Sequence, residues 1–285
     1  MRACAEVCGG RAGPTRPAVR VALVAATLTA ALVLPRGQAV FAFKTDQDGH
    51  AGITTEVLPG ITRTVGTSTM SFSKKAIDQI VSADNGTDWR EPLTTAAHFD
   101  NEDFAGASAR LVRLKGEVVA LITADSPDGT GARKSLGRAL HTVQDFYAHS
   151  NWVELGKSGF NPDLGRSIFP GPGRSVKTCV DGFSGRLRPG LTFLTSGWFS
   201  LLRCEPAPGK VIHGDTAMGC DEATYGPGLA KDRPGRAGFD AARSCAVQAT
   251  RDYVNQVLDD PRVAGNAKAI AALMNCEGNV GRRRR

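Results

Sequence analysis

The segment His141-Thr142-Val143-Gln144-Asp145-Phe146-Tyr147-Ala148-His149 sets two histidines and an aspartate at positions i, i+4 and i+8. On a helix of about 3.6 residues per turn these side chains stay within an arc of about 80° and face one cavity. Imidazole nitrogen and carboxylate oxygen are ligand types that divalent zinc accepts, and a helix presents them without the entropy cost of ordering a loop. The competing structural reading has the same three groups satisfying one another beside the core.

The chain has five histidines. His50 follows Asp46-Gln47-Asp48-Gly49, His98 opens His98-Phe99-Asp100-Asn101-Glu102, and His213 alone comes after the helix. Every one of them lies beside carboxylates or in a segment able to fold toward the helix, which favours a shared site. Upstream, Asp84-Asn85-Gly86-Thr87-Asp88 offers two aspartates, Asp84 and Asp88, either of which could bridge two ions or take a proton from an activated water. Asp, Asn and Gly are also what a polar turn would use.

Positioning these groups falls to helices. Ser73 opens an apolar-periodic run through Ile77, Ile80 and Val81, predicted as a short helix with a serine cap. A long second helix begins near Phe104 with Ala107, Leu111, Leu114, Val118, Leu121 and Ile122 on one stripe and stops before Pro127-Asp128-Gly129. The third, from about Ala132 to Glu154, carries the ligand set. Helical pattern returns from Phe239 to Leu258 and from Val263 to Met274. Between Lys157 and Gly238 the chain is rich in glycine and proline, and periodicity nearly vanishes. A segment that long in a compact domain is a functional loop, a disulfide-stapled one or a small unrecognised sheet.

The N-terminal segment has Arg2, Arg11, Arg16 and Arg20, an uncharged run from Val21 to Leu34, and small residues around Val40-Phe41-Ala42. That pattern predicts an export signal over residues 1–42, with Phe43 as the new N-terminus. The run is shorter than the roughly 20 apolar residues a membrane span needs. This leader and the basic tail each carry a net +4 of the chain's +7, so the body between them is at −1 and offers no nucleic-acid-binding face. Roughly 240 remaining residues suit one domain, residues 43–278, followed by a disordered tail at 279–285. Five cysteines remain after export, Cys179, Cys204, Cys220, Cys245 and Cys276. An oxidising compartment favours disulfides among them, with one thiol left over, and none shows the C-x-x-C spacing of a zinc knuckle.

Four stretches together resemble the HET-C family of secreted and fungal incompatibility proteins, also found as the N-terminal part of some von Willebrand A-domain proteins. They are Phe43 to Thr54 (FKTDQDGHAGIT), His98 to Phe104 (HFDNEDF), Leu136 to Gly156 (LGRALHTVQDFYAHSNWVELG) and the Cys204 to Asp215 loop with His213-Gly214. HET-C proteins in turn resemble zinc-dependent phospholipases C and single-strand zinc nucleases. The resemblance implies a mostly α, phospholipase C-like helical domain with a long irregular, disulfide-stapled insertion and up to three zinc ions. It implies ligation by the amine and carbonyl of Phe43, by His50, Asp88 or Asp84, His98, the helical set His141, Asp145 and His149, and the late His213.

Two departures stand out. Family phospholipases begin with tryptophan, where Phe43 is expected here, and their late histidine is followed one helical turn on by a glutamate. Here Asp215 comes two residues after His213, and Asp215 and Glu154 are both candidates for that acid. The implied activity is secreted phosphodiester hydrolysis on phospholipid head groups at a membrane surface, with Asp88 or Asp84 orienting or deprotonating water and zinc supplying Lewis acidity. A zinc nuclease is the second enzyme reading, and a metal-binding recognition or lipid-interaction protein without turnover is the non-enzymatic one. Trp89, Trp152 and Trp198 present no obvious platform for stacking single-stranded nucleic acid.

Overall fold

A computed structural model describes residues 48–214 and 221–275. The expected leader, Phe43, Asp215, Cys220, Cys276 and the basic tail lie outside those residues. The described residues all fall within one compact unit, Gly37–Arg285.

Its centre is helix α5, Gly129–His149, which the sequence led one to expect slightly later in the chain. It starts early because the Asp128 carboxylate accepts the Gly131 amide at 2.8 Å and caps the first turn. It stops at His149 because Ser150 turns extended and bridges to Ser196. Every residue from Ala139 to His149 is buried, so α5 is surrounded by other elements. Helix α2, Lys74–Arg90, lies along one side of it, and α4, Phe104–Thr123, and α7, Phe239–Leu258, lie along others. The short helix α8, Ala267–Met274, closes the far end.

The serine cap of α2 is as expected, with Ser73 Oγ accepting the Ala76 amide at 3.1 Å. The helix is not short, however. It continues through Asp84-Asn85-Gly86-Thr87-Asp88, where a polar turn was the alternative. Burial of Asp84, Thr87 and Asp88 on the same face as Ile80 and Ala83 overrides the local preference of these residues for turns. Close approach to α5 is permitted by Gly137, where a Cβ would stand 2.3 Å from the Ile80 carbonyl oxygen. Helix α4 is capped by Asp103, which accepts the Gly106 amide, and it buries Ala107, Leu111, Leu114, Val118 and Ile122. Three elements had no clear signal in the sequence: α1, His50–Val57; a hairpin of β1, Thr62–Val65, with β2, Ser68–Ser71; and the single turn α3, Thr95–His98.

The glycine- and proline-rich excursion is irregular but not loose. It holds a small antiparallel pair, β3, Cys179–Val180, with β4, Phe183–Leu187, and a single-turn helix α6, Glu222–Tyr225. Backbone hydrogen bonds fasten it to the end of α5: Gly197 N donates to His149 O, Asn151 N to Thr195 O, and Lys231 N to Ala148 O. A second set ties its own segments together, His213 N to Trp198 O and Ala230 N to His213 O. The segments around residues 197, 213 and 230 therefore form a ladder beside His149.

Among the described residues helix far outweighs the two small two-stranded sheets, as expected for a mostly α domain. No disulfide joins two described residues: Cys179 and Cys245 are buried free thiols, while Cys204 is disulfide-bonded. Among the described residues no helix is long and apolar enough to cross a membrane.

Candidate metal centre

His50, Asp84, Asp88, His98, His141 and Asp145 converge from α1, α2, α3 and α5. Asp145 is the hub. Its Oδ1 lies 3.2 Å from His50 Nε2, while its Oδ2 lies 2.9 Å from His98 Nδ1 and 3.0 Å from His141 Nε2. Asp84 Oδ1 stands 3.5 Å from both His50 Nδ1 and His141 Nδ1, and Asp88 Oδ1 is 3.4 Å from His141 Nε2. The His50 and His141 rings stack at 4.1 Å between centroids.

A second cluster lies one turn further on, at the C-terminal end of α5. His149 Nδ1 is 3.1 Å from Asp100 Oδ1, and its Nε2 is 3.2 Å from Asp232 Oδ1. The His213 ring meets that of His149 edge-on at 4.2 Å. Three sets of ligand atoms lie close enough together to hold an ion: His50, Asp88 and His141; His98, His141 and Asp145; and Asp100, His149 and His213.

Four of the five imidazoles have one nitrogen committed to a carbonyl-type oxygen. His50 Nδ1 donates to Gln144 Oε1 at 2.6 Å, and His98 Nε2 to the Glu91 carbonyl at 3.1 Å. His149 Nδ1 donates to the His98 carbonyl at 2.8 Å, and His213 Nδ1 to the Gly214 carbonyl at 2.6 Å. A carbonyl can only accept, so each bond fixes the tautomer and leaves the other nitrogen with a lone pair directed at the cluster. This is how metal-ligating histidines are oriented. Gln144 is itself held, since its amide donates to Thr54 Oγ1 and Thr250 Oγ1, and Thr54 Oγ1 donates to Asp84 Oδ2 at 2.6 Å.

The clusters also contain buried polar atoms with no hydrogen-bond partner: Asp84 Oδ1, Asp88 Oδ2, Asp100 Oδ1, Asp145 Oδ1, His141 Nδ1, His149 Nε2 and both oxygens of Asp232. Leaving such groups unsatisfied is expensive, and a cation among them removes the cost. The electrostatics point the same way. Burial alone would depress His141 and His149, yet their carboxylate neighbours, Asp145 and Asp88 for one, Asp100, Asp145 and Asp232 for the other, hold both well above the ordinary imidazole value. Burial would raise Asp145, but His141, His149 and His50 hold it well below the usual carboxylate range.

The turn that delivers His98 and Asp100 to opposite clusters is strained. Phe99, Asn101 and Glu102 all adopt left-handed backbone, with φ of 54°, 57° and 60°. Such residues cost on the order of 1–3 kcal/mol each and persist only where their surroundings over-determine them. Here Phe99 is locked among Phe104, Phe146 and Phe169. Asn101 Oδ1 accepts the Phe199 amide, Glu102 N donates to Ser196 Oγ, and the Glu102 carboxylate accepts from Thr195 Oγ1 and Lys210 Nζ. The irregular excursion thus clamps the ligand turn.

A family model described as the VWA7 N-terminal domain matches residues 53–267 of this chain. The chain belongs to that family. Like the present chain, other proteins carry the VWA7-type segment: human von Willebrand factor A domain-containing protein 7 is 40% identical over 123 residues, and the rat protein of the same name is 41% identical over 124. Each alignment covers 41% of this chain and 14% of the relative. No solved structure matches the chain.

Of the ligands expected in this VWA7-type domain, His50, Asp84, Asp88, His98, His141, Asp145, His149 and His213 are all brought into the two clusters. Phe43 lies outside the described residues, as does Asp215. Glu154 is not part of the site: it is partly exposed and pairs with Lys231 Nζ at 3.1 Å. Beside Asp100, a second acid stands next to His149 and His213, Asp232, which sequence reasoning missed. It lies in Ala230-Lys231-Asp232-Arg233-Pro234, a stretch without periodicity, and long-range bonds from the Lys231 backbone and ammonium bring it to His149. Asp100 was visible within the His98 segment but was not picked out as a ligand.

Proposed function

We propose that this domain is a zinc-dependent phosphodiester hydrolase, phospholipase C-like, acting on phospholipid head groups. The observation that carries this reading is the set of four imidazoles pinned through one nitrogen while the other faces buried carboxylates, several of whose oxygens have no hydrogen-bond partner. Asp145 turns one oxygen to His50 and the other to His98 and His141, so it would bridge the two neighbouring ion positions of the first cluster, an arrangement that suits a multi-metal hydrolase. Zinc held there would supply Lewis acidity toward the phosphoryl oxygens and make water acidic enough to react near neutral pH.

The chain's own groups divide the remaining work. Asp84 is fully buried and tied to Thr54, which suits a ligand. Asp88 keeps one oxygen toward His141 and the other unpartnered, so it is the better group to orient a water and take its proton. The resemblance of the His98, His141–His149 and His213 segments to HET-C proteins, and through them to zinc phospholipases C, supports the same chemistry, as does an export signal for the secreted location.

One observation favours a second reading, a HET-C-like protein that keeps metal for recognition or lipid interaction without turnover. The opening beside His98 and Asp100 has a volume of only about 40 Å³, room for a water or two but not for a head group. Elemental analysis of the purified full chain, followed by phosphocholine release from vesicles before and after chelation, separates the two. Bound zinc with chelator-sensitive release supports the hydrolase. Bound zinc without release from lipid or single-stranded DNA supports recognition. If His141→Ala lowers stability but leaves zinc content unchanged, the metal centre itself is refuted.

A further inference from the structure

Seven large hydrophobic side chains are exposed among the described residues, and four of them, Trp89, Leu93, Leu201 and Leu202, come from two short segments. Scattered singly they would need no explanation. The first segment, at the end of α2, follows Asp88 directly, with Trp89 and Leu93 each 65% exposed. The second contains Leu201 and Leu202, the latter 82% exposed, two and three residues beyond Phe199. Leu93 and Phe199 line the same opening as His98 and Asp100, so the two segments flank an approach to the candidate metal centre.

Each apolar tip is followed by an exposed arginine, Arg90 after Trp89 and Arg203 after Leu202. The adjacent carboxylate, Glu91, is already taken up by Arg110 at 2.7 Å and Arg138 at 2.9 Å, so it does not neutralise the rim. Tryptophan and leucine beside arginine is the pairing that lets a surface bury apolar atoms at the acyl boundary while cations meet lipid phosphates. A nucleic-acid strand would want a basic groove with stacked aromatics, and a rim of leucines does not supply one.

We propose that the rim formed by Trp89, Leu93, Leu201 and Leu202, with Arg90 and Arg203, docks on an anionic phospholipid bilayer and presents the opening of the metal centre to it. This deepens the hydrolase reading by naming the surface at which that site works, but docking itself requires no turnover.

The test uses the full chain with vesicles of phosphatidylcholine alone or mixed with phosphatidylserine. Trp152 and Trp198 are buried, so a lipid-dependent blue shift of tryptophan emission reports Trp89. The expected result is a blue shift and cosedimentation with the mixed vesicles, with Leu202→Ser and Arg203→Gln together weakening partitioning by about tenfold or more. Emission that stays unchanged at saturating mixed vesicles, equal affinity for both vesicle types, or undiminished binding by the variant would each overturn the proposal. Vesicle binding without phosphodiester release sinks the hydrolase reading alone, whereas release from a soluble short-chain phospholipid without vesicle binding sinks the docking surface alone.

Discussion

Lys210 Nζ stands 2.5 Å from Glu102 Oε2, with both side chains almost wholly shielded from water. The pair joins the excursion to the strained turn at residues 99–102, three residues before the excursion delivers His213. Lys210→Met would leave the Glu102 carboxylate buried without its cation, a loss of about 3–5 kcal/mol. Adding Glu102→Met should recover part of that loss, because an apolar pair of similar volume is tolerated far better than a lone buried charge. Urea denaturation of the two single variants and the double variant measures the coupling. Additive losses would show that the clamp does not act as a unit.

Gly137→Ala tests how closely α2 must approach α5. On an exposed helix this change stabilises by up to about 1 kcal/mol. Here the new methyl would meet the Ile80 carbonyl, Ala83 Cβ and the Asp84 amide, all under 3.0 Å. The sign should therefore reverse, to a destabilisation of about 1–3 kcal/mol. Because the displaced backbone carries Asp84, zinc content should fall as well. Thermal melts alongside elemental analysis read both effects, and a variant that is stabilised with full metal content contradicts the packing described.

The legible part of the site was the part carried by period. His141, Asp145 and His149 share a face because helical geometry demands it, and α4 and α7 followed from their apolar stripes. Asp84 and Asp88 were ambiguous, since their residue types suit a turn and only burial against α5 makes them helical. Asp232 was invisible because nothing local brings residue 232 to His149: the contact depends on Lys231, whose ammonium donates to the Ser150 and Leu229 carbonyls and to Glu154. The left-handed Phe99-Asn101-Glu102 turn was equally hidden, because no glycine marks it. Long-range hydrogen bonds impose that conformation.

The stabilisation that metal adds should grow with pH, against the trend of the metal-free protein. Burial works against the charged forms, but neighbouring carboxylates keep His141 and His149 raised, so without metal these groups contribute stability fully below about pH 6.5 and lose it as pH rises through their folded values. Asp145, held low by His141, His149 and His50 against its burial, contributes above about pH 3.9 and loses that contribution as pH falls. Zinc requires neutral imidazole, so its stabilising increment grows with pH. Melting temperatures measured from about pH 6.5 to mild alkali should fall in chelator, while the gap to the zinc-loaded protein widens. Parallel curves would mean that zinc does not bind at these histidines.

Asp232→Asn separates the acid found beside His149 from the one expected in its place. Asp232 is buried, neither of its oxygens has a hydrogen-bond partner, and one lies 3.2 Å from His149 Nε2. Asparagine keeps the shape and removes the charge that an ion at His149 and His213 needs. Affinity at that subsite should drop at least about tenfold, lowering metal content while the ions held by His50, His98 and His141 remain. Glu154→Gln is the control, because Glu154 faces Lys231 at a partly exposed position and its loss should leave metal content intact. Equal metal loss in both variants would mean that the loop carrying Lys231 and Asp232 acts only as scaffold, since a scaffold is disturbed from either end and a ligand only at its own carboxylate.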